Sequence, residues 1–448
     1  MLAFWILILV NYFIQWKDVP TQGIPMSLPN ELLQILLLAI AIIDARVTPH
    51  FERCVNIMLF SLILWCGYCT LEILNDTCDL GINIGAWYNG ARMMAFQLLY
   101  IFLVFSIYIS NPERLNNYLK LWAYLSLFSA FWTWKQQNIG LTSAETGFLY
   151  GRGAVTHLLQ AGTLIRYWST FSDAANYGCN AAGAAVAFLV FGMTSRFIKE
   201  KLFYLIVGIL VIISMFASGT RTATFCIFAG IAVFIVLSKS FKIAIPAAIL
   251  GVFFLFILMF TTIGQGNQQI RRMRSAFDKK DASSNVRAIN QATMRKYMKD
   301  APWGIGIGMG YDNVPANNKY RKMATIAPDS EYVFIWLRTG KYGITFFLIT
   351  TAIMFLGACY VVFCRLKNKS LIGIGAGLCG AFAAIQLGGY GNQVLMQFPN
   401  CLIFYGGLTI VYILPYIEPE WNEIETQKIA IQEEKKRLKL EKKLASRV

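Results

Sequence analysis

The sequence predicts an all-α polytopic membrane protein, and three observations carry that prediction. Of the 448 residues, 56% are hydrophobic and only 14% charged, with a mean hydropathy of +0.52. A soluble domain is about half apolar and a quarter charged. Apolar runs of roughly 15–22 residues recur along the chain and match the ~20 that a helix needs to cross hydrocarbon. The basic residues that flank these runs fall on alternate sides when the chain is threaded back and forth, as the positive-inside rule requires.

The runs give about twelve spans, near 1–16, 26–43, 54–74, 93–110, 119–134, 179–194, 202–217, 223–237, 243–263, 343–364, 371–391 and 399–414. The implied organisation is five helices in 1–134, an external loop at 135–178, and helices six to nine in 179–263. A large basic external loop then fills 264–342, with three further helices in 343–414 and a basic tail in 415–448. The first run begins at Met1 without a small-residue cleavage site after it, so it reads as a retained helix.

A cytoplasmic N-terminus puts Arg46, Arg53, Arg114, Lys120, Arg196, Lys199, Lys201, Lys239, Lys242, Arg365, Lys367 and Lys369 on the inside, together with the tail. Of the 40 basic residues, twelve lie instead in 264–330, on the outer side. Long loops are exempt from the orientation rule, so the threading stands. The concentration of cations in one external loop still requires a reason.

Within that loop, SSNVRAINQATMRKYMKDAPWGIGIG carries helix punctuation. Ser284 fits an N-cap, Val286, Ile289, Ala292 and Met294 form a partly apolar stripe, and Pro302 stops the helix. GIGIGMG lacks the strand–turn–helix context of a dinucleotide fingerprint and reads as a close-packed turn. The tail EEKKRLKLEKKLASRV reads as a solvated or membrane-surface helix.

Ten cysteines are scattered, mostly inside apolar runs, where a buried thiol acts as a small hydrophobe. Cys66 and Cys69 have redox spacing but lie within an expected span, so a structural role is expected. His50 and His157 are the only histidines, too few for a multi-histidine metal site. No metal and no cofactor is expected.

Four stretches on the outer side hold the candidate chemistry. RYWSTFSDAANYG contains Arg166, Asp173 and Asn176; SGTRT contains Arg221; NVRAINQA contains Arg287; and PDSEYVFIWLRTGKYG contains Asp329, Glu331 and Tyr332. A guanidinium keeps its proton, and its planar fork matches phosphate oxygens. Any one arginine at a helix mouth also fits snorkelling to the interface. Three of them ahead of one acidic pair, all on one side, suit a recess for a lipid-linked diphosphate.

The pair Asp329 and Glu331 permits general-base chemistry on a sugar hydroxyl or coordination of a hard cation. Two acids favoured at a helix N-terminus explain it equally well. Trp87, Tyr88, Trp132, Trp134, Tyr167, Trp168 and Trp303 lie near the outer face, as an interface belt or as sugar-stacking surfaces.

These stretches, in this order, resemble the O-antigen ligase and polymerase family of bacterial surface-polysaccharide assembly. Arg166 to Gly178 resembles the family's R-x-S-G-T-F-x-N-P-N segment, and SGTRTA its S-R-T-A joint at the start of a helix. NVRAINQATMRKYMKDAPWGIGIG resembles the R-x-x-x-W … P-x-G-x-G-x-G part of its external loop. DSEYVFIWLRTGKYG resembles the H- or D-N-x-Y-L … G-x-x-G return to the membrane, with Asp329 where the family's catalytic histidine stands. The plan of about twelve spans with one large late external loop also fits.

The resemblance implies transfer of a glycan from undecaprenyl diphosphate to an acceptor hydroxyl, without a metal, at the outer face of the bacterial inner membrane. Arg221 and Arg287 would hold the diphosphate; Arg166, Asp173, Asn176 and Tyr332 are further substrate-binding candidates; Asp329 or Glu331 would be catalytic. Expected partners are the lipid-linked donor, a glycan or lipid acceptor, membrane lipids, and a chain-length regulator and flippase, with no nucleic acid. A polymerase of repeat units is favoured, and a ligase to lipid A core is the near alternative. A twelve-helix transporter is the rival of another class, although the two halves show no repeat and the long loop follows the ninth span.

Overall fold

The computed structural model describes residues 1–19, 27–43, 48–151, 154, 158–160, 164–239, 241–263, 266, 271, 274 and 282–445. Helices form where the apolar runs require them. In the first half these are α1 (Leu2–Phe13), α2 (Ser27–Ile43), α3 (Ile57–Leu71) and α4 (Ile84–Ala91). A π-helical turn at Arg92–Phe96 carries α4 into α5 (Gln97–Tyr108), and α6 (Pro112–Asn138) follows. Next come a short α7 (Ser143–Tyr150), α8 (Ala174–Thr194), α9 (Ile198–Ala217), α10 (Arg221–Leu237) and α11 (Phe241–Phe260). Beyond the basic loop lie α12 (Ala282–Met298), α13 (Arg321–Thr325), α14 (Glu331–Tyr360), α15 (Lys369–Gly391) and α16 (Gly406–Ala445).

Each of the twelve expected spans coincides with a helix. Seven helical segments are long and apolar enough to cross a membrane, and α1, α2 and α10 are shorter apolar helices. Local chemistry sets several starts. Asn56 caps α3 through Met58 N at 2.9 Å, Asn111 caps α6 just ahead of Pro112, and Asn368 caps α15 through Ser370 N at 2.8 Å.

At the centre are α8 and α15, whose sequences are rich in glycine and alanine. Lipid tails are as apolar as leucine, so membrane helices associate through close packing, which small residues permit. A Cβ on Gly230 of α10 would lie 2.9 Å from the Gly380 carbonyl of α15. That approach forbids any larger residue without a backbone shift. By contrast, α9 turns Ile206, Ile209 and Ile213 outward, each more than half exposed, as a lipid-facing surface demands. Among the described residues the one sheet is a two-residue antiparallel ladder, β1 (Leu159–Gln160) on β2 (Leu164–Ile165), before Arg166.

The bundle has two distinct ends. The tail end gathers Arg53, Ser110 and Arg114 with 195–200, 366–370 and 418–428; Arg53 donates to Ser110 O at 2.6 Å, and Ser370 Oγ donates to Glu425 Oε1 at 2.8 Å. The opposite end gathers 13–18, 72–83, 138–151, 164–173, 218–222, 300–330 and 389–400.

Four expectations need adjustment. The return helix starts at Glu331 instead of 343, because a helix caught between Ser330 and a kink at Gly340 (φ 66°) already covers the end of the expected loop. Helix α12 starts at Ala282, ahead of Ser284. Its buried positions are Met294 and Met298, while Ile289 is 66% exposed, because only its C-terminal half packs on the lobe below. The tail is no separate helix but the end of α16, which runs unbroken from the last span. Arg46, His157 and most of the basic run 264–281 lie outside the described residues, as do the side chains of Ser284 and Val286.

Candidate functional site

Three helix N-termini meet at the end opposite the tail, those of α8, α10 and α14. Asp173 is the N-cap of α8 and accepts from Ala175 N at 2.6 Å and Asn176 N at 2.9 Å. Thr220 precedes α10, and its hydroxyl donates to Ala174 O at 2.8 Å, which joins the first turns of α8 and α10. Segment 389–400 then laces all three together. Asn392 Nδ2 donates to Thr222 Oγ1 at 3.1 Å, Leu395 N donates to Glu331 Oε2 at 2.9 Å, and Asn176 Nδ2 donates to Phe398 O at 2.9 Å. A helix N-terminus carries about half a positive charge, so three of them make one region that favours anions.

The arginines are brought to this region. Arg166 lies over the joint between α9 and α10, donating through Nε to Ser218 O at 3.2 Å and through Nη2 to Thr220 Oγ1 at 3.0 Å. Burial pulls its pKa down, Asp173 opposes that, and the charges of Arg221 and Arg287 pull it further down. Arg221 and Arg287 are therefore each within electrostatic reach of Arg166. Arg221 is the first residue of α10, two residues after Gly219, which adopts φ 57° to turn the chain. A cation there opposes the helix dipole by roughly 0.3–1 kcal/mol. Arg287, on the first half of α12, is half-buried.

Lys17, which sequence reasoning passed over, joins them. It lies just past α1 with its ammonium 4.0 Å from the centre of the Phe148 ring. Burial pushes its pKa down to about 8, against the pull of Asp173.

The carboxylates divide. Glu331 is only 3% exposed, and its carboxylate accepts the Leu395 N–H. Asp329 is half-buried, and among the described residues its side chain has no hydrogen-bond or ion-pair partner. Its backbone sits at φ 54°, in the left-handed region that is costly for any residue with a Cβ. Such strain persists where the surroundings enforce it. Here Ser330, which donates to Gly389 O at 3.1 Å, and Glu331 anchor the next two residues.

The remaining candidates face inward. Asn176 is fully buried; its amide donates to Ser172 Oγ at 2.8 Å and to Phe398 O, and its carbonyl accepts from Asn400 at 2.6 Å. Tyr332 donates to Gln386 O at 2.9 Å. Asn176 locks segment 389–400 to α8, and Tyr332 locks α15 to α14. Among the described residues, no group of three or more His, Cys, Asp or Glu side chains gathers where it could hold a metal ion.

The glycine-rich segment forms the close-packed turn that was expected. The kink at Gly340 releases the carbonyls ahead of it, and the turn satisfies them: Ile305 N donates to Leu337 O at 2.9 Å and Gly306 N to Arg338 O at 3.1 Å. Gly304 (φ 83°) has no alternative, since a Cβ there would lie 2.4 Å from the Arg338 carbonyl. Beside it, Trp303 is half-exposed and packs on Tyr342, ring centres 4.6 Å apart. Trp168, by contrast, is fully buried and cannot stack on a sugar.

Residues 206–348 match the family model of the O-antigen ligases. The match supports the resemblance to the O-antigen ligase and polymerase family, and with it glycan transfer of that general type within a membrane. It encloses Arg221, Arg287, Asp329, Glu331 and Tyr332, whereas Arg166, Asp173 and Asn176 lie ahead of it. The curated proteins contain no match to the chain.

Segment 389–400 was not foreseen as part of the site. Its one sequence signal is a polar cluster, Asn392, Gln397 and Asn400, between apolar runs. Only its hydrogen bonds to three separate helices show what the cluster is for.

Proposed function

We propose that this protein is a polymerase of polysaccharide repeat units, transferring a glycan from undecaprenyl diphosphate to an acceptor hydroxyl at the outer face of the bacterial inner membrane. The observation that carries the reading is the gathering of Arg166 and Arg221 where α8 and α10 begin, with Arg287 in electrostatic reach of Arg166. Cations held close to one another and to helix N-termini are favourable when a multiply charged anion sits among them. A lipid-linked diphosphate is such an anion.

In the proposed reaction the bond between the anomeric carbon and the diphosphate oxygen breaks. The acceptor oxygen attacks from the opposite side, with inversion, and its proton passes to a carboxylate. Asp329 is the base, because its carboxylate is uncommitted while that of Glu331 holds Leu395. Fixed guanidinium groups stabilise the leaving diphosphate without the need for a metal. A chain-length regulator and a flippase would act with such a polymerase.

One observation favours the ligase reading, namely the family whose model matches residues 206–348. The test is a deletion strain complemented with the wild type, with Arg221→Ala or with Asp329→Asn, its glycans resolved on a gel. Loss of the long-chain ladder with single repeats still attached to the anchor supports the polymerase. Long polymer stranded on the lipid carrier supports the ligase. Full-length attached polysaccharide in both variants would falsify the proposed site.

A further inference from the structure

Arg338 is a half-buried cation that the proposed transfer leaves unused. Its Nε and Nη1 are shut away from solvent, and among the described residues neither has a hydrogen-bond partner. The guanidinium lies 5.2 Å from the centre of the Phe334 ring, and a Cβ on Gly310 would be 3.8 Å from Nη2. Among the described residues no carboxylate forms an ion pair with it; the ionisable neighbour that acts on it is the buried thiol of Cys78.

A second arginine in the same lobe shows what a compensated one looks like. Arg321 donates to the carbonyls of Tyr311 and Val314 and lies on the Tyr311 ring. Arg338 has the ring without the carbonyls. Since a guanidinium cannot shed its proton, two of its nitrogens buried without acceptors favour an anion from outside that completes them.

Its position narrows the source of that anion. Arg338 ends the helical stretch that starts just after Asp329, about 12 Å away at 1.5 Å per residue. That is beyond the reacting bond but within the reach of the glycan chain attached to it. We propose that Arg338 binds an oxyanion, a carboxylate or phosphate group carried by the glycan a few sugar units from the transferred bond, so that the enzyme selects an acidic polysaccharide. The carrier of the anion rests on the glycan-transfer reading; the anion site itself does not.

The experiment uses the purified full-length protein in neutral detergent and reads its thermal midpoint with added glucuronate, inorganic phosphate or glucose. Glucuronate and phosphate at tens of millimolar raise the wild-type midpoint by about 2 °C, and glucose does not. Gly310→Asp places an internal carboxylate against Nη2. It raises the anion-free midpoint and removes the response, while Gly310→Asn keeps the response. Arg338→Met also removes it, and Gly310→Asp decides the matter if Arg338→Met does not fold.

An undiminished response in Gly310→Asp, or none in the wild type, overturns the proposal. A response to phosphatidylglycerol in the micelle, with none to glucuronate, assigns the anion to a lipid headgroup and overturns the glycan source. Arg221→Ala separates the two readings. It loses transfer while keeping the anion response if both hold, and it keeps transfer if the transfer site is wrong.

Discussion

The two ends of the helix bundle place some of their charges differently. At the tail end, cations and acids meet one another: Arg196 lies 4.0 Å from Glu425, Lys428 lies 3.6 Å from Glu200, and Glu418 accepts the Lys367 N–H at 2.8 Å. At the other end, Arg166 binds neutral oxygens and feels two further arginines, Arg221 begins a helix whose dipole opposes it, and Arg338 has no acceptor for Nε or Nη1. The first arrangement is complete by itself. In the second, arginines stand at helix N-termini, a placement that suits an anion.

The sharpest way to break this comparison is to remove a charge at each end. Arg221→Ala is expected to lower glycan transfer by about 10²–10³-fold, the usual loss when one fixed donor to developing charge is deleted. Glu425→Ala frees Asn368, Ser370 and Arg196. It is expected to lower the thermal midpoint by a few degrees, about 2–4 °C per kcal/mol in proteins of 150–250 residues, and to leave transfer at the wild-type level. If the tail-end variant also abolished transfer, the two ends would be one functional unit and the contrast would fail.

The two carboxylates of the DSE stretch test the same contrast at closer range. Asp329→Asn is expected to cost about 10²–10⁴-fold in turnover, as for a lost general base, while donor binding measured with labelled lipid diphosphate is retained. Glu331→Gln keeps an oxygen for the Leu395 N–H, so transfer is expected to fall far less. The reverse ranking would move the base to Glu331.

The smallest effect is one of pH. Lys17 has a folded pKa of about 8, below its ordinary 10.5. The unfolded chain therefore binds the proton more tightly, and stability rises as pH climbs from about 8 toward 10.5. Lys17 is partly solvated, so the gain is discounted to about 2 °C or less in thermal midpoint. Lys17→Met is expected to abolish that rise, and an unchanged pH profile would show that Lys17 is not desolvated.

Much of this was legible in the chain beforehand, and the reason is physical. In a bilayer every backbone polar group must be satisfied within its own segment, so apolar length alone announces a helix, and all twelve expected spans are helical. Arg166, Arg221 and Arg287 were legible as a set because arginine beside a helix mouth has few uses. The roles of Asp173, Asn176, Glu331 and Tyr332 were not. Each is a polar residue near a helix start, and a cap, a lock and a ligand look alike until the partner is known. Asp173 caps α8, Asn176 binds Phe398 O and Asn400, Glu331 binds Leu395 N, and Tyr332 binds Gln386 O.

By itself the sequence determined the all-α membrane class and where the apolar helices run, because hydropathy is a property of residues. The tertiary structure alone decided which carboxylate is free, which arginine lacks a partner, and that segment 389–400 ties three helix starts into one region. Those are properties of pairs far apart in the chain, 222 residues for Asn176 and Phe398, and only folding brings such pairs within hydrogen-bonding distance.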